Sequence, residues 1–241
     1  LKKELKEQIK QDELKSGLEE AVSWLVAHRD EVRIGAGVLA VLLAAGGAFA
    51  YFQGQRAREA ERAFRDALAT FEAPVTGELP PGAEPPAQVF ATAEEKYKTA
   101  AAAFEGVERR AGSSAVALRA RYYAALSRVE LGQHAEAEKA LSAIRGGGAG
   151  LEPELARYAL ADLHRRKGEV DKAVEAYRGL ATNPGSTVPR DFALRKAAEV
   201  LEDAKRFAEA RAAYRRLAEE FPASVWAAEA RERAEWLATL G

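Results

Sequence analysis

KGEVDKAVEAYRGLATNPGSTV, residues 167–188, and AKRFAEARAAYRRLAEEFPASV, residues 204–225, read as two copies of one unit. Overlaid, they pair Gly168 with Lys205, Ala173 with Ala210 and Tyr177 with Tyr214, each 37 residues apart. LGQHAEAEKAL (131–141) supplies a third copy through Gly132, Ala137 and Leu141, and AAFEGVERRAGSSA (102–115) a fourth through Phe104, with Ala100 four residues upstream. Spacings of 37, 36 and 37 residues between Phe104, Leu141, Tyr177 and Tyr214 mark a repeat architecture. Each position has a physical role. A glycine takes the left-handed conformation that stops the first helix of a pair. The alanine lets two helices cross closely, and the larger residue one turn later fills the space against the next pair. Pro184 and Pro222 end the second helix, because proline cannot continue it. A helical pair of this kind exposes an apolar face until a neighbour stacks on it, so the reading predicts an all-α solenoid. Lys205 departs from the pattern by replacing the turn glycine.

Composition agrees with a folded helical chain. Of 241 residues, 48 % are hydrophobic and 30 % charged, which excludes a disordered polymer. The net charge of −1 excludes a protein that acts by neutralising nucleic-acid phosphate. With no cysteine there are no disulfides, thiolate metal sites or cysteine nucleophiles.

Ile34 to Phe52, IGAGVLAVLLAAGGAFAYF, contains no charged or strongly polar side chain. As a helix it is about 28 Å long, close to the roughly 30 Å of a bilayer's hydrocarbon core. Arg29 and Arg33 flank one end, Arg56 and Arg58 the other, and Tyr51 and Phe52 sit where interfacial aromatics belong. Ala48-Phe49-Ala50 raises the alternative of a cleaved signal peptide. The long acidic segment before it and the length of the run favour an uncleaved anchor over that and over a buried core helix. The flanking positive charges do not decide the orientation. The reading therefore divides the chain into an amphipathic leader at 1–33, an anchor at 34–52 and a repeat domain at 53–241. The first repeat is interrupted by PVTGELPPGAEPPAQ (74–88), a proline-rich insertion read as an exposed, partly extended loop, with helix resuming by Phe90. Val225–Leu240 is expected as a terminal capping helix.

Gly168, Ala173, Tyr177 and Pro184, and again Ala210, Tyr214 and Pro222, resemble the tetratricopeptide repeat motif over about residues 90–240. The early-helix tryptophan of that motif is missing here. The layout of leader, anchor and repeat domain is similar to the bacterial YfgM-type family, and the FPASVWAAEARERAEWL ending looks like CpoB-like envelope proteins. The resemblance implies a single-pass inner-membrane protein whose repeats are periplasmic and work beside the SecYEG translocon or envelope chaperones. A structural envelope component in division or outer-membrane assembly is the alternative.

No catalytic, cofactor-binding or metal-binding residue is assigned. His28, His134 and His164 are far apart, and no zinc-type spacing exists. Gly146-Gly147-Gly148-Ala149-Gly150 lacks the following Lys-Ser/Thr and preceding strand of a phosphate loop. The dispersed basic clusters are offset by acids, so neither a nucleic acid nor a small-molecule substrate is expected. Partners are expected to be proteins or polypeptides, plus the lipid bilayer through 34–52. Carrying over the family's groove positions gives Tyr122, Leu126 and Val129, then Tyr158, Asp162 and Arg165, then Arg195, Glu199 and Glu202 as a protein-binding surface.

Overall fold

The computed structural model describes residues 23–78, 86–147 and 150–240. The leader's first 22 residues, the middle of the proline-rich insertion and the centre of the glycine loop lie outside the described residues. The chain divides into two units, Leu1–Arg56 and Ala57–Gly241.

In the first unit a short helical stretch at 23–27 precedes the N-terminal part of α1 (Arg29–Glu72), whose residues from Ala57 on belong to the second unit. Trp24 stacks on His28 with ring centroids 4.6 Å apart. Ile34, Val38, Leu39, Leu42, Leu43, Phe49 and Phe52 are all exposed, and among the described residues none of the apolar stretch of α1 is buried. A helix of that length and composition is able to cross a membrane.

The second unit is all-α. After the C-terminal part of α1 come α2 (Ala93–Ala111), α3 (Ala115–Glu130), α4 (His134–Arg145), α5 (Leu151–Arg166), α6 (Val170–Thr182), α7 (Arg190–Asp203), α8 (Phe207–Glu220) and α9 (Ala227–Leu237). From α2 onward each helix packs on the next, and α3 also touches α5. The result is a solenoid of helical hairpins, α3–α4, α5–α6 and α7–α8, closed by α9.

The periodic residues are its buried spine. Ala100, Phe104, Ala137, Leu141, Ala173, Tyr177 and Ala210 are wholly inaccessible, and Tyr214 nearly so. Three core clusters form around them. Phe64 and Phe71 of α1 meet Tyr97 and Phe104 of α2 and Tyr123 of α3 with centroids no more than 6.3 Å apart. Leu141 and Ile144 pack with Leu160 and Leu163. Tyr177, Leu194, Leu201 and Leu217 centre the third.

The turns inside the hairpins repeat atom for atom. Gly132, Gly168 and Lys205 have φ of 71°, 72° and 58°. At each, the left-handed residue donates its N–H three residues back and its successor donates five back: Gly132 to Val129 and Gln133 to Arg128, Gly168 to Arg165 and Glu169 to His164, Lys205 to Glu202 and Arg206 to Leu201. This is the Schellman closure of a helix end. Helices α6 and α8 stop two residues before Pro184 and Pro222.

Two boundaries differ from the sequence expectation. Helix α2 starts at Ala93, capped by the Thr92 hydroxyl, which accepts from Glu95 N at 3.1 Å. Phe90 is held instead in a parallel bridge with Val75: Thr76 N donates to Phe90 O at 2.9 Å and Phe90 N to Pro74 O at 3.1 Å. The two ends of the insertion are thus clamped together over a buried Phe90 and Ala73. The terminal helix begins at Ala227 rather than Val225, because Ser224 turns the chain by accepting from Trp226 N.

Candidate protein-binding surface

The first helices of the pairs, α3, α5 and α7, together with α9, form one face of the solenoid, and all nine expected groove residues lie on its first three helices. They do not all reach the surface. Tyr122 and Val129 are 9 % and 7 % exposed and belong to the core between α3, α4 and α5, with Leu126 packed beside them. Burial pushes the Tyr122 phenol up to about 12. Here packing claims the positions, because α3 contacts both α4 and α5.

On α5 and α7 the equivalent positions carry polar groups at the surface. Tyr158 is half-buried, with its ring 5.9 Å from Tyr177 and 5.8 Å from Phe192 of α7. Asp162 accepts from Arg165 Nε and Arg166 Nε, each at 2.9 Å. Arg166 also reaches Glu130 of α3 at 3.0 Å. Arg195 pairs with Glu199 at 3.1 Å, approaches Glu229 of α9 at 3.5 Å and lies 3.9 Å from the ring centroid of Trp226. Glu202 accepts the Tyr214 hydroxyl at 3.1 Å and holds Arg233 of α9. Desolvation raises the Tyr158 and Tyr214 phenols, so both remain neutral donors.

The groove reading stopped at α7, but the surface continues onto α9. Glu199, Glu202, Tyr214, Glu229, Arg233 and Trp236 line an open cleft of 540 Å³, with Trp236 45 % exposed. The 37-residue register that links Asp162 to Glu199 leads on to Trp236, and that which links Tyr158 to Arg195 leads to Glu232. Continuing it one step past the last full repeat identifies them.

The opposite face carries a second depression of 470 Å³, lined by Arg145, Arg157, His164, Lys172 and Leu180 among others. Several polar groups in and beside it link neighbouring segments of the array. Buried Glu154 pairs with Arg157 and accepts from Ser186 at 3.0 Å and Asn183 at 3.4 Å. One repeat later Asp191 accepts from Ser224 at 2.6 Å. His164 meets Glu169 at 2.7 Å. Lys167 first, then His164, hold the Glu169 carboxyl down to about 2. Among the described residues there is no group of three or more metal-ligating side chains.

A family model described as tetratricopeptide repeat matches residues 155–186 and 192–224, the α5–α6 and α7–α8 pairs with their following turns. These two segments of the chain are tetratricopeptide repeats by that match. Among solved structures it is similar to the nearly identical TPR-like repeats of a kinesin light chain from Podosopora anserina, at 16 % identity and a TM-score of 0.44 over 60 % of this chain and 85 % of that one. A single-substitution variant of that protein gives 16 % identity and 0.44 over 61 % and 85 %. No curated protein matches the chain.

Proposed function

We propose that this chain is a membrane-anchored scaffold that binds polypeptide partners on the face built by α3, α5, α7 and α9. The observation that carries the reading is the repeat array itself: a buried apolar spine presents a continuous row of aromatic and charged side chains on one face. Tyr158, Asp162, Arg165, Arg195, Glu199 and Glu202 contribute surface chemistry, while Tyr122, Leu126 and Val129 position it from below. Mixed charge beside half-buried aromatics suits an extended polypeptide. The exposed apolar stretch of α1 supports insertion into a bilayer. Tethering keeps the repeats near other membrane complexes and raises their effective concentration without new contacts. The resemblance to YfgM-type proteins directs the search to a bacterial inner membrane, with the repeats in the periplasm beside the translocon or envelope chaperones.

Photocrosslinking side chains placed at Tyr158 and Arg195 in the full chain, in native membranes, are expected to capture polypeptide partners. The same probe at Lys172 on the opposite face is expected to capture few. Equal capture from both faces would end the groove reading, and capture of only a second copy of the chain would favour a self-associating structural component.

A further inference from the structure

Two adjacent seams on the proposed binding face carry the same three positions, 37 residues apart. Between α7 and α9 these are Tyr214, Glu202 and Arg233; between α5 and α7 they are Tyr177, Arg165 and Lys196. In the α7–α9 seam the set is closed. The Tyr214 hydroxyl donates to Glu202 Oε2 at 3.1 Å, and Arg233 holds both oxygens of the same carboxylate, its Nε reaching Oε2 at 3.0 Å. A carboxylate therefore sits over the tyrosine, between two donors.

In the α5–α7 seam the acceptor position is an arginine: Arg165 lies beside the Tyr177 phenol, and Lys196 across the seam is held by Glu199 at 2.7 Å. The Tyr177 side chain is wholly buried; Arg165 stands beside its oxygen as a donor, and the hydroxyl hydrogen has no acceptor. Its ring lies against Tyr158, which itself lies against Phe192 of α7, and Asp162, Tyr158 and Arg165 bear on the phenol. The hydroxyl thus lies against the α5 side of the seam. Local acids do not meet its need: Arg165 and Arg166 take the two oxygens of Asp162, and Glu199 binds Lys196 at 2.7 Å and Arg195 at 3.1 Å. An unsatisfied buried hydroxyl is costly. Such a group in a native fold calls for a missing partner. Arg165 is the exposed member of the set, and Arg166 still neutralises Asp162 when Arg165 turns toward a guest.

We propose that the α5–α7 seam binds an acidic side chain of an extended polypeptide, its carboxylate taking the place that Glu202 holds one repeat later. Within the molecule the group in that place is a glutamate side chain, which is why the guest is a side-chain carboxylate. The inference rests on the groove reading above and narrows it: the partner presents an aspartate or glutamate to α5.

The test uses the full chain in detergent micelles and a fluorescein-labelled, C-terminally amidated oligoglutamate decapeptide, followed by fluorescence anisotropy. An oligolysine decapeptide and an oligoserine decapeptide with a free C-terminal carboxylate are the comparisons. The unsubstituted chain is expected to prefer oligoglutamate. Arg165→Glu supplies the acceptor internally, so it is expected to weaken that binding at least tenfold while raising the melting temperature. Tyr177→Phe changes no charge and is expected to weaken binding several-fold without lowering the melting temperature. Undiminished binding in both variants would overturn the proposal, as would a lower melting temperature in Arg165→Glu. Oligoserine bound as tightly as oligoglutamate would make a chain terminus the guest and overturn the side-chain assignment. The two readings fail separately: undiminished peptide binding in the variants, with crosslinking from Tyr158 intact, removes only the seam assignment. Absence of crosslinks from the whole face removes the groove.

Discussion

Lys205 holds its backbone at a φ of 58°, where the Cβ of an L-residue crowds the following carbonyl. The matching turns use glycine at 71° and 72°, with the same hydrogen bonds on either side. Lys205→Gly is therefore expected to stabilise the fold by about 1 kcal/mol, less the extra freedom that glycine gives the unfolded chain. Urea unfolding monitored by circular dichroism reads the change; a destabilised variant would show that the lysine side chain contributes more than its backbone costs. Tyr177 and Tyr214 make a second matched pair. Tyr214→Phe removes a hydrogen bond to an ionised carboxylate and is expected to cost about 1–2 kcal/mol. Tyr177→Phe removes a hydroxyl whose hydrogen has no acceptor and is expected to be neutral or stabilising. Equal losses at the two positions in the same unfolding experiment would mean that Tyr177 has an acceptor in solution.

At the scale of the element, the α5–α6 turn is a small electrostatic knot. Glu169 follows the turn glycine and is held by Lys167 at 2.9 Å, His164 at 2.7 Å and Lys172 at 3.2 Å. Its folded carboxyl titrates near 2, below the ordinary value of 4.5. A depressed folded value means that the contribution to stability is complete above the unfolded pKa. It is lost as pH falls from about 4.5 through about 2. Glu169→Gln is expected to lower the melting temperature at neutral pH, and the difference from the unsubstituted chain should shrink across that acid window. A difference that stays constant with pH would remove the charge from the explanation. The proline-rich insertion shows the other side of element design. Its ends are tied by the Val75–Phe90 bridge and by the Thr70–Gln88 side-chain hydrogen bonds, so the interruption leaves α1 and α2 able to pair through Phe64 and Phe104.

For the whole molecule, repeat stacking distributes stability over neighbouring interfaces, each hairpin burying the face that the next would expose. Paired charges join neighbouring first helices, Glu130 with Arg166, Arg195 with Glu229 and Glu202 with Arg233. Partly exposed pairs of this kind add register more than energy. The flanking arginines of the proposed bilayer anchor leave its sidedness open, and the expectation for it comes from the YfgM-type resemblance. In a bacterial host, a reporter active only after export, fused at residue 241, is expected to be active. Activity of a reporter that works only in the cytoplasm would place the repeats on the other side.

Helix type, hairpin period and the buried spine were legible in the one-dimensional pattern, because each depends on local rules. A left-handed turn favours glycine, a close crossing favours alanine, and an inter-repeat gap favours a large residue four positions on. All eight spine positions sit where that pattern puts them. The face that meets solvent was only partly legible. Tyr122 and Val129 occupy the same register as Tyr158 and Arg165, yet tertiary contacts among α3, α4 and α5 bury them. The extension onto Trp236, the clamp of Val75 on Phe90 and the Tyr177 hydroxyl without an acceptor also required the assembled structure. Periodicity specifies which residues point inward along one helix. Which side chain closes over which depends on the neighbouring repeat: Tyr214 donates to Glu202, whereas the matching place beside Tyr177 is held by Arg165.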